Sequence, residues 1–131
     1  MNGLKGLIFK NRGQAMVEFA LVVPILLLLI CGIIDFGRIY SATIMVAGAA
    51  REGARSAAIG NDDTVVTQAV ADYVSAIAGE QLTVNIAPSS RVAGDQITVT
   101  VSTPIPVLTP IVNAILGSTY TVSGTAVMRA E

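Results

Sequence analysis

An unbroken apolar run from Phe19 to Ile34, with the carboxylate of Glu18 at its start, constrains this chain more than any other feature. As a helix the run is about 24 Å long. That is slightly short of the roughly 20 residues a membrane span needs. Including Gln14–Glu18 supplies the length, provided Glu18 is neutralised or lies near the interface. Ile25, Leu26, Leu27, Leu28 and Leu29 leave no polar face for water, so the buried helix of a soluble protein fits poorly. An ionisable group inside a span costs roughly 2.5–3.5 kcal/mol on insertion scales, so Glu18 should have a partner. Pro24 also lies in the run. Lipid-embedded helices tolerate proline when neighbouring groups satisfy the freed carbonyl, and a kink near residues 20–24 is expected.

Charge is asymmetric about this run. Lys5, Lys10 and Arg12 precede it with no acidic residue among them, whereas the remainder of the chain is net acidic. The basic side should stay in the cytoplasm, which puts the C-terminal part outside. An ordinary secretory signal would need a small-x-small cleavage site soon after the run. The nearest, Ala47-Gly48-Ala49, lies well beyond Asp35 and Arg38. No basic patch suited to nucleic acid follows the run. The 131 residues contain no histidine, which weakens every hydrolase and metalloenzyme reading. Cys31, the single cysteine, cannot form an intramolecular disulfide and reads as packing.

Helical character continues past Ile34. Residues 35–58 hold no proline and many alanines, so one helix from Gln14 to Ala58 would be roughly 68 Å long. Asp35 with Arg38, and Glu52 with Arg55, stand three apart and can pair on one face. Arg51 and Arg55 could instead bind a partner's acid. Ala42, Ala47, Ala50, Ala54, Ala57 and Ala58, with Gly48 and Gly53, offer a small-residue surface for close approach. That surface suits a filament core, the chain's own domain, or both on different faces.

Gly60-Asn61-Asp62-Asp63 reads as a break and a new helix cap rather than a cation site. Val66, Val70, Tyr73 and Ile77 then keep helical spacing, with Gly79 as stop. Beyond it the period changes to two. Leu82, Val84 and Ile86 alternate with polar residues, as do Ile97, Val99 and Val101, and then Tyr120, Val122, Ala126 and Met128. These predict three antiparallel strands with one buried face. Thr109-Pro110 and Gly117 bracket a short helix over Ile111–Leu116. No phosphate-binding glycine loop, paired-carboxylate signature or metal spacing stands out, and no cofactor is implied.

Three segments carry a family resemblance. Arg12-Gly13-Gln14-Ala15-Met16-Val17-Glu18-Phe19-Ala20-Leu21 resembles the start of the TadE-like pseudopilins of tight-adherence (Flp-type) pilus systems. Gly32-Ile33-Ile34-Asp35-Phe36-Gly37-Arg38 and Ala49-Ala50-Arg51-Glu52-Gly53-Ala54-Arg55 are similar to that family too. The likeness covers roughly residues 12–57. It implies a type IV pilin-like precursor that a prepilin peptidase cuts after Gly13, leaving Gln14 as the new N-terminus. Type IV pilins usually carry glutamate at the fifth mature position, where Glu18 falls. Gln14 departs from the phenylalanine that many of them have first. The resemblance also implies other pilin subunits, an assembly ATPase and membrane platform proteins as partners, in pilus biogenesis, adhesion and biofilm formation.

The residues themselves give this chemistry a physical reading. A free ammonium on Gln14 and the Glu18 carboxylate would attract each other far more strongly at a membrane face than in water. Glu18 is expected to pair with the amine of an adjacent subunit, or with its own before assembly; the plain alternative is a carboxylate solvated among headgroups. Gly13 would let a protease approach the backbone, or would simply be a flexible break before the helix.

The expected fold is α+β: a long N-terminal transmembrane helix continuing into a small type IV pilin-like domain with a short helix and an antiparallel three-stranded sheet. Residues 1–13 are expected to be a basic leader, 14–58 the long helix, and 59–131 the extracytoplasmic domain. The expected function is structural rather than enzymatic: a minor pilin or pseudopilin in the bacterial cytoplasmic membrane, crossing it once. A monomeric single-pass protein presenting a binding or adhesion domain is the alternative, and a secreted enzyme a more distant one.

Overall fold

In the computed structural model, residues 3–77 and 81–131 are described, residues 3–12 as backbone alone. Six elements follow one another among the described residues. They are α1 (Gly3–Ala58), α2 (Asp63–Val74), β1 (Thr83–Ala87), β2 (Gln96–Pro106), α3 (Pro110–Leu116) and β3 (Thr119–Arg129). The strands form one antiparallel sheet in the order β1-β2-β3. This is the expected α+β architecture. From Gly13 to Ile34 α1 projects bare, and its C-terminal half lies across one face of the sheet with α2 beside it.

The helix α1 runs unbroken through Pro24. Gly13 is helical as well, so the flexible break considered for it is absent. The apolar run buries nothing: Leu27, Ile30 and Ile33 are all exposed. Beyond Asp35 the same helix changes character. Ala42, Val46, Ala49, Ala50, Ala54 and Ala57 are buried against the sheet and α2. The small-residue surface is used for packing within the chain.

Small residues matter here because backbones touch. A Cβ on Gly124 of β3 would lie 2.8 Å from the Cα and N of Ala47, inside contact distance of the α1 main chain. A Cβ on Gly53 would meet Val70 at 2.7 Å. Val66, Val70 and Val74 have no exposed surface and form the inner stripe of α2. Each fully buried valine contributes on the order of 1.5–3 kcal/mol. Tyr73, which shares their spacing in the sequence, is instead half exposed, with its ring lying over Gly48. The helix ends at Val74, short of Ile77, and the expected stop at Gly79 lies outside the described residues.

The break after α1 is as read, with Gly60 at φ +86°, a conformation that glycine adopts without strain. The aspartates that follow differ from expectation. Asp62 occupies the N-cap position but makes no side-chain cap hydrogen bond; it accepts one from the Thr64 hydroxyl at 2.9 Å. Asp63 forms an ion pair with Arg91, whose guanidinium also donates to the Asn61 carbonyl at 2.8 Å. These contacts tie the β1–β2 connection to the α1–α2 turn.

Strand β2 is longer than its sequence pattern suggests. Ile97, Val99, Val101, Thr103 and Ile105 all face the core. β1 reaches only to the level of Ser102. Residues 103–106 therefore have a strand neighbour on one side alone, a setting in which Pro104 and Pro106 are tolerated. The long pairing with β3, from Gln96↔Arg129 to Pro106↔Thr119, fixes the poles of the domain. At one pole the Glu131 amide donates to the Ala58 carbonyl. At the other, Pro106 lies beside Arg38.

The close approach at Gly124 generates a prediction. Gly124→Ala should destabilise the domain by about 1–3 kcal/mol, because helix backbone cannot swing aside as a side chain would. Thermal unfolding of the detergent-solubilised full chain, followed by circular dichroism, measures this. Gly37→Ala, where a Cβ meets nothing within 4 Å, should leave the midpoint unchanged or raise it.

Candidate functional site: a carboxylate tie at the end of the apolar run

Asp35 is the first residue after the apolar run, and its side chain is almost fully buried. Its carboxylate accepts the Thr109 amide at 2.7 Å and the Leu108 amide at 3.2 Å. Arg38, one turn further along α1, stands 3.6 Å from Asp35 and donates to the Pro106 carbonyl at 3.3 Å. The pair anticipated from their spacing is therefore present. Its larger role is to bind the β2–α3 connection to the long helix.

Local sequence explains why this carboxylate is wanted. Thr109 is the N-cap of α3 but makes no side-chain cap bond, and Pro110 at the first helical position has no N–H. The amides of Leu108 and Thr109 must find acceptors elsewhere. Asp35 supplies them from α1, as a negative group at the positive end of a helix. Hydrogen bonds to an ionised acceptor are among the stronger ones in proteins.

The other anticipated residues lie apart. Glu52 and Arg55 pair at 3.2 Å on the exposed side of α1, where such a pair contributes little. Arg51 is exposed beside them. Gly13, Gln14 and Glu18 lie at the other extreme, with Glu18 some 25 Å below Asp35 along the helix. Glu18 is exposed and accepts a hydrogen bond from the Gln14 side-chain amide at 3.2 Å. A Cβ on Gly13 would meet nothing within 4 Å, so packing among the described residues makes no use of a glycine there.

Among the described residues no cluster of His, Cys, Asp and Glu is arranged to hold a metal ion. Sequence reasoning missed Pro106, Leu108 and Thr109, because they act through main-chain groups. The available signal was Thr109-Pro110 itself, a helix start whose own cap is weak.

Comparison with known proteins agrees with the geometry. A family model described as TadE-like protein matches residues 13–55. That span starts at Gly13 and takes in the apolar run, Asp35, Arg38 and most of the packed half of α1. No curated protein and no solved structure matches the chain. The match is to the family that the sequence resembles, which is not a family of enzymes. With α1 long and apolar enough to cross a membrane, it points to a membrane-anchored protein related to the tight-adherence pilus.

Replacing Asp35 tests the tie. Asp35→Ala should speed hydrogen exchange at the Leu108 and Thr109 amides by about tenfold or more, since both donors lose their acceptor. Asp35→Asn keeps one acceptor oxygen and should have a smaller effect. Arg38→Ala should have less still, its guanidinium being partly exposed. Unchanged exchange in Asp35→Ala would show that the carboxylate does not hold the connection.

Proposed function

We propose that this protein is a minor pilin or pseudopilin of a tight-adherence (Flp-type) pilus. A prepilin peptidase removes residues 1–13, and the freed Gln14 amine pairs with Glu18 of an adjacent subunit, or with its own before assembly. The reading rests chiefly on one observation: the match to the TadE-like family begins at Gly13, the residue after which cleavage is proposed. Gly13 adds support. A glycine within a helix costs about 1 kcal/mol relative to alanine, and no packing among the described residues accounts for it. Close approach by a protease would.

Glu18 fits the same scheme. In the uncleaved chain it has the neutral Gln14 amide as partner. Cleavage would put a positive charge on the same residue and give the carboxylate a stronger partner at the membrane face. The basic leader keeps the N-terminus in the cytoplasm and carries residues 59–131 to the outer side of the bacterial cytoplasmic membrane. Other pilin subunits, the peptidase, platform proteins and lipid are the partners this requires.

Mass spectrometry of the protein from its native membrane gives the first test. A mature chain starting at Gln14 is expected. An intact leader favours a plain anchor presenting a binding domain, and a start near Ala50 favours secretion. Glu18→Ala gives the second. Cleavage should proceed while incorporation into sheared fibres falls sharply; normal incorporation would remove the pairing role.

A further inference from the structure

Apart from the Asp35–Arg38 pair, the pole of the domain that meets the apolar run is itself apolar. α3 buries none of its residues, and Leu108, Ile111, Ile115 and Leu116 stand exposed, Ile115 by 78%. Tyr120, at the start of β3, is exposed beside this group. No Asp, Glu, Lys or Arg occurs anywhere from Gln96 to Met128. The charges of the sheet lie at the opposite pole. There Arg129 donates to the Gly94 carbonyl, Arg91 pairs with Asp63, and Asp95 accepts the Val92 amide.

The depth of this patch is fixed. Asp35 holds Leu108 and Thr109, so α3 begins level with the last turn of the apolar run. A groove lined by Leu28, Cys31 and Ile34 on α1, and by Leu108, Thr109 and Pro110 opposite, with the Asp35 carboxylate also in its wall, joins the two apolar surfaces. If α1 is embedded as far as Ile34, α3 cannot stand clear of the bilayer surface.

We infer that α3, with Leu108, is a second membrane contact, lying in the lipid interface at the foot of the domain. The inference rests on the reading of α1 as a membrane anchor. Short apolar segments bind at the headgroup–acyl boundary through buried apolar area, and a tyrosine at their edge suits that boundary. α3 has no basic residue, and Arg38 beside its foot is engaged by Asp35 and the Pro106 carbonyl, so the contact of α3 itself is with acyl chains rather than with anionic headgroups. Two contacts, α1 and α3, fix the tilt of the domain on the membrane, which α1 alone would leave to swing.

The chain has no tryptophan, so single reporters can be placed cleanly. Leu27→Trp in the run, Ile115→Trp in α3 and Val92→Trp at the charged pole all alter exposed side chains. Each full-length variant is reconstituted in phosphatidylcholine–phosphatidylglycerol vesicles carrying brominated acyl chains. Leu27→Trp should be quenched best by deep bromines. Ile115→Trp should be blue-shifted and quenched best by shallow ones, and Val92→Trp should be unaffected. Quenching of Leu27→Trp without Ile115→Trp would overturn the α3 contact and leave the anchor standing. Failure of Leu27→Trp would overturn both. A blue-shifted Ile115→Trp that no brominated lipid quenches would mean that protein, such as a second copy, covers the patch, and would also overturn the inference.

Discussion

The carboxylate of Asp35 sits where α1 changes from bare to packed, and it holds the rest of the chain at that point. On one side of it, from Phe19 to Ile34, the helix offers only apolar side chains to its surroundings. On the other it lies against α2 and the sheet. Two main-chain donors from the β2–α3 connection converge on the one group, so the foot of the domain cannot slide along the helix. Apolar contacts alone would not impose that register, because burial is non-directional and a stripe of alanines and valines looks much the same one turn up or down.

The two halves of α1 solve opposite problems with the same backbone. The first half needs bulk and hydrophobicity, and uses Leu, Ile and Phe. The second half needs its backbone close to other backbones, and uses Ala and Gly. Gly124 on β3 makes the reciprocal concession, leaving room for the main chain at Ala47. The core that results is built from small side chains in a thin layer. Its integrity depends on proximity more than on the size of any one buried residue.

Much of this was legible in the sequence. The apolar run, the alanine-rich continuation and the three period-two segments each announce their element, and the TadE-like resemblance falls where the family match lies. What stayed hidden has physical causes. β2 was read short because Pro104 and Pro106 break the usual strand signature, and only the shortness of β1 shows why they are tolerated. Tyr73 was read as inward because period alone cannot tell a core position from a ring laid flat over Gly48. Asp62 and Asp63 were read as caps because local sequence could not reveal Arg91 arriving from another element. Asp35 was matched correctly with Arg38, yet its main partners are backbone amides far along the chain, and these leave no residue-type signature.

On the proposed reading, assembly has to replace lipid with protein along the whole bare half of α1. Lipid tails are as apolar as leucine, so exchanging one for the other yields little hydrophobic gain, and packing and polar contacts must decide the outcome. Glu18 is the acidic residue at the start of that bare surface, and a charge exchanged between subunits there could set their register as Asp35 sets it within the chain. Gly32, half-buried, and Gly37, exposed, where an added Cβ would meet nothing within 4 Å, are places where another helix could come close. The domain, by contrast, has already satisfied its sheet against α1. Among the apolar side chains it leaves uncovered are those of the foot formed by Leu108 and α3, so leaving the bilayer would require new cover for that foot as well as for the helix.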